Sequence, residues 1–110
     1  MKECKEGMKY DSEKIRTDLF PVESFMGTSK VLTFGAKKYS DRNWEKGILY
    51  SRCYGAALRH IMSWFNGEDL DSETKLSHLH HAACCIAFLQ TYEERGMTEF
   101  DDRPKTKVSK

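Results

Sequence analysis

Residues 73–95 read ETKLSHLHHAACCIAFLQTYEER, and Gly96 follows. Apolar residues recur there with a period near 3.6, which predicts a helix from about Glu73 to Arg95, stopped by Gly96. Leu76, Leu79, Ala83, Ile86 and Leu89 or Gln90 trace one stripe; His78, His81, Cys85, Phe88 and Tyr92 trace a second beside it. Two adjoining stripes predict a helix largely surrounded by protein.

Upstream of this helix, Glu68-Asp69-Leu70-Asp71-Ser72-Glu73 is an acidic loop in which Asp71 or Ser72 can cap the helix. A second helix is predicted from Tyr50 or Ser51 through Cys53, Tyr54, Ala57, Leu58, Ile61, Trp64 and Phe65, ending at Asn66-Gly67. Residues 40–47 form a polar loop carrying Trp44. Before it, Pro21 suits the first position of a first helix, Glu23 favours its dipole, and Phe25, Met26, Leu32, Ala36 and Tyr39 keep helical spacing to about Lys38. The prediction is one all-α domain over residues 1–110. It has a three-helix core, an extended N-terminal arm (residues 1–20) and a polar C-terminal tail (residues 97–110). Three amphipathic helices leave apolar surface for a partner, so a homo-oligomer is expected.

Hydrophobic residues make up 39% of the 110, enough for a modest core and too many for a disordered chain. Eighteen Lys and Arg against 17 Asp and Glu leave a net charge of +1, which gives no reason to expect a nucleic-acid polymer or an anionic membrane as partner. The most apolar run, Ala82–Leu89, is far shorter than the roughly 20 residues of a membrane span, and the first residues lack a signal-peptide core. A cytoplasmic protein is expected. Cys4, Cys53, Cys84 and Cys85 form no CxxC pair, so they are read as small core hydrophobes in a reducing compartment.

Chemistry is sought first in the histidines. The three-residue step from His78 to His81 places both on one helix face, about 5–6 Å apart at Cβ, where both can face one ligand. His80 lies about 100° away from His81 and is expected to be exposed. The structural alternative for His78 and His81 is a hydrogen-bonded pair at a helix junction. Glu68, Asp69, Asp71 or Glu73 can share their pocket, and imidazole with carboxylate suits zinc or a transition metal better than magnesium. Lys37, Lys38 and Arg42, with Tyr39, Asn43 and Trp44 beside them and Arg59 on the next helix, combine phosphate-seeking groups with stacking surfaces, a composition that suits a nucleotide. Phosphate loops, dinucleotide fingerprints and nucleophile elbows are absent from the sequence.

Asp11, Lys14, Arg16, Asp18-Leu19 and Pro21, then Val31-Leu32-Thr33-Phe34-Gly35-Ala36-Lys37-Lys38-Tyr39 with Asn43-Trp44, resemble the phage-associated dATP/dGTP diphosphohydrolase N-terminal family. Arg59-His60, Gly67-Glu68-Asp69 with Asp71 and Glu73, and His78-Leu79 with His81-Ala82 extend the resemblance to about residue 92. It implies a helical fold, a phage setting in the cytoplasm of an infected bacterium, and a purine deoxynucleotide ligand.

The family is distantly similar to MazG-type pyrophosphohydrolases. Here His78-x-x-His81 stands where those carry ExxD, and the second helix has no ExxE. Two functions follow as expectations. An enzyme would use His60, His78, His81 and Asp71 for catalysis, with His78, His81 and Asp69 holding Mg, Mn or Zn, and Lys37, Lys38, Tyr39, Arg42, Asn43, Trp44 and Arg59 binding the ligand. A non-catalytic protein would use the same pocket to sequester a nucleotide or a nucleotide immune signal.

Overall fold

The computed structural model describes residue 7 and residues 13–105. Among them are three α-helices and no strand: α1 (Val22–Lys38), α2 (Tyr50–Phe65) and α3 (His78–Glu94). The all-α expectation is met, and α1 and α2 end where the sequence places them. Both pack against α3, which is the centre of the structure. Pro21 sits one position ahead of the predicted site, as the residue preceding α1, and its carbonyl accepts the Ser24 and Phe25 N–H groups. Among the described residues no helix is long and apolar enough to cross a membrane. Cys4 and Asp11 lie outside the described residues.

The start of α3 departs from expectation. It begins at His78, not near Glu73, because residues 70–77 fold into a local turn of their own. The Asp71 carboxylate accepts the Glu73 and Thr74 N–H groups at 3.0 and 2.9 Å, and Lys75 takes a left-handed φ of 62°. The Asp71 N–H then reaches the Leu76 carbonyl at 2.8 Å, closing the turn. An aspartate that binds the backbone just ahead of it competes with helix formation. Ser77, rather than Asp71 or Ser72, caps α3, its hydroxyl oxygen accepting the Leu79 N–H at 3.1 Å.

The two stripes of α3 are not equally covered. His78 is 4% exposed and Tyr92 fully buried, but Leu79 and Ile86 on the leucine stripe are 43% and 44% exposed. The expected envelopment holds only for the histidine–aromatic stripe. On α2, Leu58, Ile61 and Met62 are also open, as are Phe25 and Met26 on α1. Cys53 and Cys84 are buried, as small core residues should be, and burial pushes their thiols up to about 11 and 12. Cys85, half-buried, is also a free thiol.

The predicted polar tail starts as part of the core. Met97 and Phe100 pack on the buried Tyr50–Cys53–Tyr92 cluster, together with Trp44, Ile48, Phe88 and Leu89. The Phe100 ring lies against Gly47, whose φ of 103° is one that side chains rarely adopt. Asp102 accepts both the N–H and the hydroxyl of Ser51, closing the N-terminus of α2 from a distant point of the chain. Residues 13–20 are exposed and carry one 3-10 turn at Thr17–Leu19.

Candidate functional site

Capping by Ser77 fixes His78 in the first turn of α3, and its N–H donates to the Asp69 carbonyl at 3.0 Å. The His78 ring turns inward against α2, where its Nδ1 lies 2.9 Å from Nδ1 of His60; its Nε2 lies 2.8 Å from Oε1 of Glu68. A carboxylate only accepts. His78 Nε2 therefore carries a proton; in the neutral ring this leaves the lone pair on Nδ1, to which His60 Nδ1–H donates. His81, one turn along, stacks on His60 with ring centroids 4.5 Å apart and 11° between planes. Its Nε2 pairs with the Thr74 hydroxyl at 2.7 Å, and that hydroxyl donates in turn to Asp71 Oδ2 at 3.2 Å.

Burial, then the neighbouring His81 and His78, lower the pKa of His60; burial likewise lowers that of His81 against the opposing pull of Asp71. Burial pushes the Asp71 carboxyl up, but the Thr74 N–H, His81, the Thr74 hydroxyl and the Glu73 N–H together hold it below its ordinary value. Neutral imidazoles thus face an ionised carboxylate. His60, Asp71 and His78 each offer one ligand atom, all within 4.8 Å of one another. Two nitrogens and one charged oxygen at that spacing form a donor set that fits a divalent transition cation.

Above this cluster opens a cleft of about 770 Å³, bounded by the C-terminal half of α1, the loop after it and α3. Its polar end carries His60, His81, Asp71, Thr74 and Lys38; further along lie Cys84 and Cys85, then Phe88 with Trp44 and Ile48. At a helical rise of 1.5 Å per residue, His81 and Phe88 stand about 10 Å apart along α3. Phe34 and Leu32 of α1 form the facing wall.

The family described as dATP/dGTP diphosphohydrolase, N-terminal, matches residues 4–103. The chain belongs to this family. A relative named dATP/dGTP diphosphohydrolase, from Salmonella phage PMBT28, is 32% identical over 83 residues, 76% of this chain and 28% of the relative. The chain thus aligns with little more than a quarter of that relative's length. No solved structure matches.

Within this family member, the cleft gathers most but not all of the residues expected from the sequence. Lys38, Tyr39, Arg42, Asn43 and Trp44 line it, whereas Lys37 and Arg59 are exposed outside it. Lys37 and Arg59 lie about 100° around their helices from Lys38 and His60, on the solvent side. The Arg59 guanidinium lies beside Gly55, one turn back. Among the expected metal ligands, His78 lies beside His60 and Asp71, whereas Asp69 is an exposed residue whose backbone carbonyl accepts the His78 N–H. His81 borders the cluster and is held by Thr74.

Several of the cleft's charges already have partners. Lys38 pairs with Glu73 at 3.1 Å, and Arg42 grips Glu45 through two contacts of 3.0 and 2.9 Å, with Arg95 on the same carboxylate. Arg42 and Arg95 hold the Glu45 carboxyl down at about 2. Trp44 stacks on Phe88 at 5.3 Å and lies under both guanidinium groups, so it closes the corner between α1 and α2 as well as lining the cleft. His80 is not simply exposed; its ring fills the space a side chain at Gly27 would need and makes the α1–α3 contact close. Thr74 is absent from the sequence-derived set. Its signal is the three-residue spacing from Asp71, which suits an aspartate-headed turn.

Proposed function

We propose that this domain binds a purine deoxynucleoside triphosphate in the cleft and hydrolyses it, with a divalent metal, to the monophosphate and pyrophosphate. The observation that carries this reading is one continuous cleft lined by His60, His81 and Asp71, with the buried His78 behind them, and by Phe88 and Trp44 about 10 Å further along α3. That span suits a nucleotide with its phosphates on the cluster and its base against Phe34 and Phe88. The printed name of the Salmonella phage relative supports the choice of dATP and dGTP.

His60, His78 and Asp71 would hold the cation, Mg, Mn or Zn. When bound, it supplies a lowered pKa for water and charge neutralisation at the phosphates. The chain's own residues do the rest. Lys38 meets phosphate oxygen as a point charge. With its Nε2–H on Thr74, His81 keeps a lone pair on Nδ1 and accepts the proton of the attacking water, a role its lowered pKa favours at neutral pH. Water oxygen bonds to the α-phosphorus, the bond to the bridging oxygen breaks, and pyrophosphate leaves.

Incubation with each of the four deoxynucleoside triphosphates, with and without Mn²⁺ or Mg²⁺, tests it by product chromatography. Metal-dependent dAMP or dGMP with pyrophosphate is expected; intact nucleotide in every reaction overturns hydrolysis.

A second reading, sequestration of a nucleotide or a nucleotide immune signal without turnover, is favoured by the ion pairs already made by Arg42 and Lys38. Calorimetry in EDTA separates the two, since a sequestering protein binds unaltered nucleotide tightly there. The setting is the cytoplasm of an infected bacterium. The open Leu79–Ile86 stripe would serve a homo-oligomer.

A further inference from the structure

We propose that His60 Nδ1, His78 Nδ1 and Asp71 form a site selective for a first-row transition cation over magnesium, with Glu68 as its positioning residue. The inference deepens the functional reading above, resting on it only for what the cation does, and takes its own support from the geometry of four side chains.

Two of the three donors are imidazole nitrogens. Magnesium takes oxygen ligands and keeps its waters, whereas Mn²⁺, Co²⁺ and Zn²⁺ accept imidazole, the last with nitrogen at about 2.0–2.1 Å. Two nitrogens on one tetrahedral ion at that distance stand roughly 3.3 Å apart. The Nδ1 atoms of His60 and His78 are 2.9 Å apart, so a separation of a few tenths of an ångström turns their hydrogen bond into a pair of ligands. His60 then moves its ring proton from Nδ1 to Nε2, a change of tautomer with no net loss of a proton. Asp71 is held in place by the Glu73 and Thr74 N–H groups and the Thr74 hydroxyl, all on Oδ2. Three protein donors leave coordination positions for water and phosphate oxygen, as in catalytic rather than structural sites.

Glu68 does not belong to the donor group. It holds Nε2 of the nearly buried His78 at 2.8 Å from the segment just after α2. By accepting that N–H it favours the His78 tautomer with its lone pair on Nδ1, the atom that faces His60. A carboxylate behind a metal-binding histidine fixes tautomer and ring orientation, and losing it costs about 10–100-fold in metal affinity.

The test is calorimetric titration of the intact protein with Zn²⁺, Mn²⁺ and Mg²⁺ alone, together with the visible absorption of Co²⁺ as a report on ligand geometry. One Zn²⁺ or Mn²⁺ per chain, with Mg²⁺ weaker by about 100-fold or more, is expected. Asp71→Asn and His60→Gln should abolish binding. Glu68→Gln should weaken it by about 10–100-fold and shift the Co²⁺ spectrum while the melting temperature stays within a degree or two. Equal affinity for Mg²⁺, no binding of any ion, or an unchanged Glu68→Gln titration overturns the proposal. Metal binding without nucleotide turnover sinks the hydrolysis reading and leaves this site standing; turnover with Mg²⁺ alone at a site indifferent to Glu68 does the reverse.

Discussion

At the N-terminal end of α3, His78 and His81 meet His60, Glu68 and Thr74 through hydrogen bonds of 2.7–2.9 Å. At its C-terminal end, Phe88 and Tyr92 meet Trp44 and Tyr50 through rings whose centroids are 5.3–6.5 Å apart. The first end is directional and made of groups that gain or lose protons; the second depends on area removed from water and is blind to pH over the neutral range. One helix thus carries two unlike ends, one where Tyr92 is fully buried and one where the half-buried His60 and His81 line a cleft. The polar end can afford reactive groups because the aromatic end, joined by Met97 and Phe100, anchors the helix.

The largest break in this comparison should come from Tyr92→Ala, which removes the one fully buried large side chain among the described residues and its hydroxyl bond to the Trp44 carbonyl at 2.7 Å. A loss of about 3–5 kcal/mol in denaturant unfolding is expected. Next, His81→Ala should lower turnover by about 100-fold or more, near 2.7 kcal/mol in barrier, while the melting temperature changes far less than in Tyr92→Ala. Equal destabilisation by both would erase the division between the two ends.

Gly47→Ala sharpens the apolar side, since it combines a φ of 103° with a clash on Phe100. It should cost about 1–3 kcal/mol without touching metal binding. The smallest effect is on pH. His60 and His81 have folded pKa values below the ordinary 6.5, so the unfolded chain binds protons first as pH falls. Stability is full above about 6.5 and declines as pH drops through that value towards the folded pKa values. His60→Gln and His81→Gln should each flatten the melting-temperature profile between pH 7 and 5, whereas Tyr92→Phe should lower it without changing its slope.

The limits of legibility follow the range of the interactions. Glu68 was readable as a member of the acidic loop near the histidines, but its bond to His78 depends on where that loop returns after α2. The choice of Asp71 over Asp69 turns on a local feature, the aspartate-headed turn, whose competition with helix hides in a stretch of good helical period. Met97 and Phe100 sit among polar residues and carry no periodicity, so only their contact with Tyr50 and Tyr92 marks them as core.

By itself the sequence determined three helices, the C-terminal ends of α1 and α2, and the placing of His78 and His81 on one face. Helical period, glycine and proline stops, and a three-residue step are properties of neighbouring residues. Tertiary structure alone decided that His60 joins them, that Lys38 and not Lys37 faces the cleft and that Phe100 closes the core. These outcomes depend on how α1 and α2 are set against α3, and a rotation of one residue, about 100°, reverses each helical choice.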